Sequence, residues 1–459
     1  MRGSIELRSS VDKDDGEIAE DRGEQVGEKG AMNNVHTVEQ HEERKMGWPK
    51  ATFLLLAETI ALGVLSFPSI CRRIGVVPTV ISTIILAVIA WRTGIVIVSF
   101  KQRHPHVQNY ADAGGVINRP LKLIFGVFIM LKGIFIAASH VSAGVTALSF
   151  FSTNSVCSTV FGVVMLFIGF FFSMPRKFDH TSYMSMVSVL CIITSCFITL
   201  VGVGEESKHY GKVTWKLFNN SGLSPTVGAA TDIVFAYSGH GSIFTFINEM
   251  EEPKDFKKSL AVVQVISTAF YLLIGVGVYI LAGDEKIISP ALLIPELKVA
   301  TAAYAIAMPT IVLSAVINVL VSGKFLITNV LNPEYLTAKS IRARMVWYAV
   351  VLGIWTASFI ISQLIPFFDE LLSLISSIIS ICLTYYATSI LWFYDNKGRM
   401  FVSSYKVAMF VVAVLCVVIG AVITPLGIAT SIVSIVKGFG NDVFGAPFTC
   451  QSGQQRLAA

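Results

Sequence analysis

Of 459 residues, 54% are hydrophobic and 14% are Asp, Glu, Lys or Arg, against roughly 25% charged in soluble domains. So much apolar surface exceeds what one soluble core of this size hides beneath a polar coat, which excludes an ordinary soluble globular protein. The net charge of +5 comes from basic residues clustered in short loops, a mark of membrane topology rather than of nucleic-acid binding.

Residues 1–46 are dense in charged side chains with hardly an aromatic, which predicts a disordered cytoplasmic tail. Its lysines, among them Lys13, Lys29 and Lys45, read as solvated charge. The first 40 residues lack the apolar core of a cleavable signal peptide, so the first span is expected to act as the insertion signal. From Trp48 the chain becomes a series of apolar runs, each near the roughly 20 residues that cross the hydrocarbon as a helix. Spans are predicted near 51–71, 76–100, 121–149, 157–174, 183–204, 227–250, 260–282, 299–324, 345–365, 370–394 and 405–436. Lipid offers the backbone no hydrogen bonds, so each run must close its own as a helix. The alternating pattern of an outer-membrane barrel is absent. The expectation is an all-α membrane protein of about eleven transmembrane helices, with a membrane domain over 47–440 and a short C-terminal tail over 441–459.

Loop charge sets the orientation. With the N-terminus inside, the cytoplasmic loops hold Lys101, Arg103 and Arg119, then Arg176 and Lys177, then Lys254, Lys257 and Lys258. They continue with Lys339, Arg342 and Arg344, then Lys397 and Arg399. The opposite loops 150–156 and 366–369 have no Lys or Arg, while the longest, 205–226, mixes Lys208, Lys212 and Lys216 with Glu205 and Glu206. This bias predicts a cytoplasmic N-terminus and, with an odd helix count, an outside C-terminus. Arg72 and Arg73, in a short outer loop, are the exception. Asn219-Asn220-Ser221 is a sequon in the predicted outer loop, making Asn219 a glycosylation candidate. The seven cysteines form no CxxC or metal-ligand spacing, and most fall in apolar runs as packing residues. Cys157 and Cys450 fall on the same predicted side and are expected to stay unlinked.

Two spans are interrupted. In the first, Glu58-Thr59-Ile60-Ala61-Leu62-Gly63-Val64-Leu65-Ser66-Phe67-Pro68 places a glycine near the middle and a proline beyond it. Proline removes a backbone donor and crowds the carbonyl four residues back, so the helix should loosen around Gly63 and Val64. The sixth is interrupted at Tyr237-Ser238-Gly239-His240-Gly241-Ser242, where each glycine costs about 1 kcal/mol of helix propensity. Either site alone is explained as well by small residues that permit close helix packing. If about 50–204 and about 227–394 are inverted repeats, with 405–436 an extra helix, the two breaks fall in equivalent first members. Such paired breaks point to a substrate site at the membrane midplane. Unwound backbone offers N–H groups to a carboxylate and carbonyls to an ammonium. A zwitterionic amino acid needs both.

The stretch from Glu58 to Pro68 resembles the first-helix signature of the amino acid/auxin permease family. Ile233-Val234-Phe235-Ala236-Tyr237-Ser238-Gly239-His240, followed by Asn248-Glu249-Met250-Glu251-Glu252-Pro253, is similar to its sixth-helix signature. The likeness is greatest to fungal neutral amino-acid (N system) permeases and covers roughly 47–440. The resemblance implies an eleven-helix, leucine-transporter-like 5+5 fold, a substrate site between helices 1, 3, 6 and 8, and proton-coupled import. Phe67 stands where the family often has leucine.

A charge within the bilayer is costly, so each one invites a functional reading. Glu58 lies about 12 Å, and Lys132 about 16 Å, from the predicted cytoplasmic side at 1.5 Å per residue. Similar depth makes them expected partners, either as a static pair or as a proton relay. His240 at the second break is a substrate or proton candidate, or a packing histidine. His140, nearer the outer end, is expected to face water, and Asp232 to be solvated. Glu249, beside Glu251 and Glu252, is expected to pair with a loop lysine. Ser314 and Asn318, one turn apart, either line the cavity or bridge helices.

The leading reading is a proton-coupled symporter of neutral (aliphatic and aromatic) amino acids. Freed N–H groups around Ala61, Leu62, Gly63 and Val64 would receive the carboxylate, and carbonyls near Phe235 and Ser238 the ammonium, with Thr59 beside them in the candidate substrate set. Tyr237, Gly239, His240 and Ser314 complete the candidate substrate set. Glu58, Lys132 and His240 are the proton-coupling candidates. The proton gradient would supply the energy, with no cofactor or metal, and the expected partners are neutral amino acids and the lipid bilayer. The plasma membrane is the expected address, the vacuolar membrane the other. Sodium coupling through oxygens of spans 1 and 8 stays open, as does an amino-acid-sensing receptor. An enzyme is not expected, because HExxH, GxSxG and P-loop motifs are absent.

Overall fold

The computed structural model describes residues 46–152, 156–176, 178–365 and 368–440 with Phe448 and Cys450, omitting the side chains of 178–182. Apart from Met46, Phe448 and Cys450, the expected tails 1–46 and 441–459 lie outside the described residues. So do Lys177 and parts of the 150–156 and 366–369 loops.

The apolar runs form helices, as closure of backbone hydrogen bonds in lipid requires. In chain order they are α1 (Trp48–Ile60), α2 (Phe67–Ile74), α3 (Val76–Arg103), α4 (Tyr110–Ile117) and α5 (Arg119–Phe151). There follow α6 (Ser158–Phe172), α7 (Phe178–Ser207), α8 (Leu223–Ala236), α9 (Ile243–Asn248) and α10 (Phe256–Lys286). The rest are α11 (Leu297–Asn329), α12 (Glu334–Thr337), α13 (Ile341–Leu364), α14 (Phe368–Ile375), α15 (Ala387–Asp395) and α16 (Ser404–Gly440). Among the described residues nine helical stretches are long and apolar enough to cross a membrane, counting α1–α2 and α14–α15 as one each. The shorter apolar α6 and the interrupted α8–α9 take the places of the fourth and sixth predicted spans.

Local chemistry explains the ends. Asn118 caps α5 by accepting from Leu121 N, with Pro120 in its first turn. Asn109 and Ser340 cap α4 and α13 in the same way. The eight-residue α4 sits inside the second loop and is too short to read as a span. Between α14 and α15 the helix widens into π-turns over Ser376–Ser380 and Cys382–Tyr386, within what the sequence presented as a plain span. Such bulges recur at functional sites.

Contacts between helices pair off under exchange of the two predicted repeats. The fifth span, α7, packs on α1 and α11, and its counterpart α14 packs on α8 and α5. α10 packs on α1 and α2, and α3 on α8 and α9. α5 meets α6, and α11 meets α13. Because each repeat has an odd number of spans, equivalent helices run in opposite directions. The expected 5+5 arrangement with broken helices 1 and 6 is therefore the one observed.

One end of the bundle is sealed. The 208–222 loop lies over α2 and α3, with Val76 N bonded to Lys216 O (3.1 Å), Val77 N to Leu217 O (3.0 Å) and Asn219 N to Ile74 O (3.1 Å). Gly75 permits this at φ +88°, since a Cβ there would lie 2.6 Å from Leu217 O. The unexpected Arg72 and Arg73 also belong here. Arg72 Nη1 donates to Ile287 O at 2.8 Å, and Arg73 Nη2 to Asp232 Oδ2 at 2.5 Å and Asp369 Oδ2 at 3.4 Å. Asp232 is thus fully buried rather than solvated, because Arg73 reaches it across the helix ends. At the same end Cys157 and Cys450 are joined in a disulfide, contrary to expectation. They lie 293 residues apart in sequence, so only the fold brings them together.

Candidate functional site

Both breaks occur at the predicted positions. After Ile60 the chain turns at Ala61 (φ −35°, ψ −87°) and continues as a 3₁₀ turn over Gly63–Ser66 before α2. After Ala236 a second 3₁₀ turn over Gly239–Ser242 precedes α9. The breaks touch. A Cβ on Gly63 would lie 2.9 Å from Ala236 Cα, and one on Gly239 would lie 3.2 Å from Thr59 Oγ1. Tyr271 of α10 clasps them, its hydroxyl 2.6 Å from Thr59 O and 2.9 Å from Ala236 O. The hydroxyl carries one hydrogen, so it donates to one of these two released carbonyls at a time.

Beneath the breaks lies a buried ionic cluster joining α1, α5, α11 and the second break. Lys132 Nζ donates to Glu58 Oε1 at 2.5 Å, to Ser242 Oγ at 3.0 Å and to Asn318 Oδ1 at 3.0 Å. Ser242 Oγ donates to the same Glu58 Oε1 at 2.8 Å. Asn318 Nδ2 donates to Ser314 O within α11, and Ser314 Oγ to Ala57 O at 2.6 Å, so Asn318 reaches α5 through Lys132 and Ser314 reaches α1. The Lys132 and Glu58 side chains are only 5% and 4% exposed. Glu58 is used unevenly: Oε1 has two donors, whereas Oε2 is buried with no partner among the described residues.

Glu58 lines a closed cavity of about 20 Å³ between the breaks, room for a single water. Thr59, Ala61, Leu62 and Gly63 line it from the first break, and Phe235, Ser238 and Gly239 from the second. Ile136 and His140 of α5 and Asn318 of α11 complete the wall. Four candidates stand apart. Val64 is buried in the 3₁₀ turn, and Ser314 is tied to Ala57 O. Tyr237 turns to Thr268 at 2.9 Å. His240 points into α3, its Nε2 2.8 Å from Thr93 Oγ1 and 3.1 Å from Ala90 O, which makes it a helix bridge here. His140, expected to face water, is 3% exposed, because α5 turns it inward to the cavity. Its depth in the sequence was plain, but its facing was not.

The other end of the bundle is open. A cavity of about 1060 Å³ reaches from the predicted cytoplasmic loops up to Gly241, where a Cβ would lie 2.5 Å from Lys132 Cδ. Its walls carry Lys101, Arg176, Lys324, Lys339 and Arg344 against one carboxylate, Glu249. Glu249 pairs with Lys324 at 2.5 Å, a lysine at the end of the predicted eighth span rather than of a loop. The wall of the sealed end includes Arg72 and Arg73 with Asp284, Asp369 and Glu370. The candidate glycosylation residue Asn219 lies there too, half-buried, its Nδ2 donating to Arg72 O at 2.7 Å.

Comparison with known proteins follows this geometry. The chain is 31% identical over 416 residues to the "N amino acid transport system protein" of Neurospora crassa, covering 88% of each. It is 25% identical to "Vacuolar amino acid transporter 3" of Saccharomyces cerevisiae over 51% of this chain and 35% of that one. Among solved structures it aligns with a substrate-bound, outward-open Na+-coupled sialic acid symporter at 10% identity and TM-score 0.49, covering 86% of this chain and 91% of the other. Residues 44–433 match the family described as "Transmembrane amino acid transporter protein". This multi-pass membrane chain belongs to the transmembrane amino acid transporter family.

Proposed function

We propose that the chain carries neutral amino acids together with protons, and that the cavity between the breaks is the substrate site. The observation that carries the reading is the asymmetry of Glu58, with one oxygen held by Lys132 and Ser242 and the other bare on the cavity wall. Unprotonated, that oxygen repels an incoming carboxylate. Protonated, it becomes a donor to that carboxylate and also weakens the grip of Lys132 on α1. Proton and amino acid then favour each other's binding, which is the thermodynamic requirement for symport.

The walls support a neutral side chain. Leu62, Ile136 and Phe235 surround the cavity, and a second net charge among them would be desolvated without a partner. Where a sodium ion would need oxygens of spans 1 and 8, Ser314 already bonds Ala57 O, and the Lys132 ammonium supplies the local positive charge. The described conformation is open to one side only, so the cavity must enlarge to admit its substrate.

The Cys157–Cys450 disulfide and the Asn219 sequon share the sealed end. Disulfides persist in oxidising compartments, which supports placing that end outside and the basic vestibule in the cytoplasm. At the plasma membrane this direction is import. The test is uptake of radiolabelled leucine or phenylalanine by proteoliposomes under an inward proton gradient without sodium. Accumulation that a protonophore abolishes supports the reading. Uptake driven by sodium alone, or no uptake of any neutral amino acid, would overturn it.

A further inference from the structure

His140 sits on α5 eight residues beyond Lys132, roughly 12 Å along the helix axis, so α5 meets the cavity region at two heights. Its ring is fixed at one end, with Nδ1 2.8 Å from the Ile136 carbonyl. A carbonyl only accepts, so Nδ1 carries the ring hydrogen, and in the neutral ring Nε2 is left as a bare lone pair. That nitrogen is buried and has no partner among the described residues, in a side chain that lines the 20 Å³ cavity. A buried acceptor without a donor is costly and invites a ligand that brings one.

The neighbouring polar groups do not supply it. Thr59 Oγ1 donates to Leu55 O at 2.7 Å, and Asn318 Nδ2 to Ser314 O at 3.0 Å. Lys132 directs its three bonds to Glu58, Ser242 and Asn318. When Glu58 is protonated for the loaded state it serves the carboxylate, and an acceptor for the other end of a zwitterion is still needed. We propose that His140 is a substrate-contacting residue whose Nε2 accepts a hydrogen bond from the α-ammonium group of the transported amino acid. This rests on the cavity being the amino-acid site. It assigns the ammonium to a side chain of α5 as well as to the carbonyls of the second break, and it makes a free α-N–H a condition of tight binding.

The test compares leucine with 4-methylpentanoate, which keeps the carboxylate and side chain but lacks the amine. In proteoliposomes, His140→Met should raise the leucine KM by about ten- to a hundredfold, the range expected for a hydrogen bond to a charged group. The inhibition constant of 4-methylpentanoate should stay within about twofold, because that compound never used the bond. His140→Gln, which returns an acceptor near the Nε2 position, should recover part of the leucine KM. An unchanged leucine KM in His140→Met would overturn the proposal. So would an equal rise for both compounds, which is what lost packing produces. Failure of the wild-type protein to take up leucine or any neutral amino acid would overturn the transport reading instead.

Discussion

Replacing Lys132 by methionine tests whether the buried cluster holds four segments together. Methionine keeps most of the side-chain volume and removes the ammonium along with its bonds to Glu58, Ser242 and Asn318. Glu58, 4% exposed, would retain only Ser242 Oγ as a donor. Removing one partner of a buried pair typically costs about 3–5 kcal/mol, because the other charge is stranded. Removing both charges costs far less. In Glu58→Gln/Lys132→Met the new amide oxygen still accepts from Ser242, and the loss should be about 1–2 kcal/mol. The double variant should therefore be more stable than Lys132→Met alone by about 2–3 kcal/mol. The assay is the unfolding midpoint in detergent, read by tryptophan fluorescence for the wild type, both single variants and the double. A midpoint for Lys132→Met equal to that of the wild type would refute the argument, as would single losses that simply add in the double.

Gly63→Val places side-chain atoms against the Ala236 backbone, 2.9 Å from where a Cβ would start, and overpacking of this kind costs about 1–3 kcal/mol. Uptake should fall at least about tenfold, while Gly353→Ala, which meets nothing within 4 Å, should leave it unchanged. Arg73→Gln strands the buried Asp232 and should open the sealed end. Labelling of Cys71, now fully buried, by a membrane-impermeant maleimide should rise in that variant and stay low in the wild type. Finally, Cys157 and Cys450 should become reactive only after an impermeant reductant is applied to intact cells. Reactivity without reduction would remove the argument for that side being outside.

The parts of this molecule that were legible from sequence have local causes. A proline after Gly63, and two glycines about His240, disturb their own helices whatever surrounds them, so both breaks were placed correctly. The Glu58–Lys132 pair followed from depth, because two helices crossing one bilayer must put residues of equal depth at one level. What stayed hidden depends on rotation and on distant chain. Depth placed His140 and Asp232 near the outer end, but only packing shows that one faces a cavity and the other meets Arg73. His240 was equally ambiguous, and its bond to Thr93 is set by how α3 passes the break. The disulfide and the π-turns carry no short-range signal at all.

The wide mouth carries an excess of positive side chains, and that excess sorts solutes before any of them reaches the cavity. Lysines and arginines in the wide mouth form a positive rim, while at the opposite end Asp284, Asp369 and Glu370 are offset by Arg72, Arg73 and Lys216. With a screening length of about 8 Å at physiological salt, such a rim is felt across much of the vestibule. A zwitterion feels no net push there and is merely turned, carboxylate toward the rim. A lysine or arginine substrate is driven back from the same entrance. Competition by cationic amino acids should therefore be weaker from the vestibule side than from the sealed side, and the contrast should fade as salt is raised.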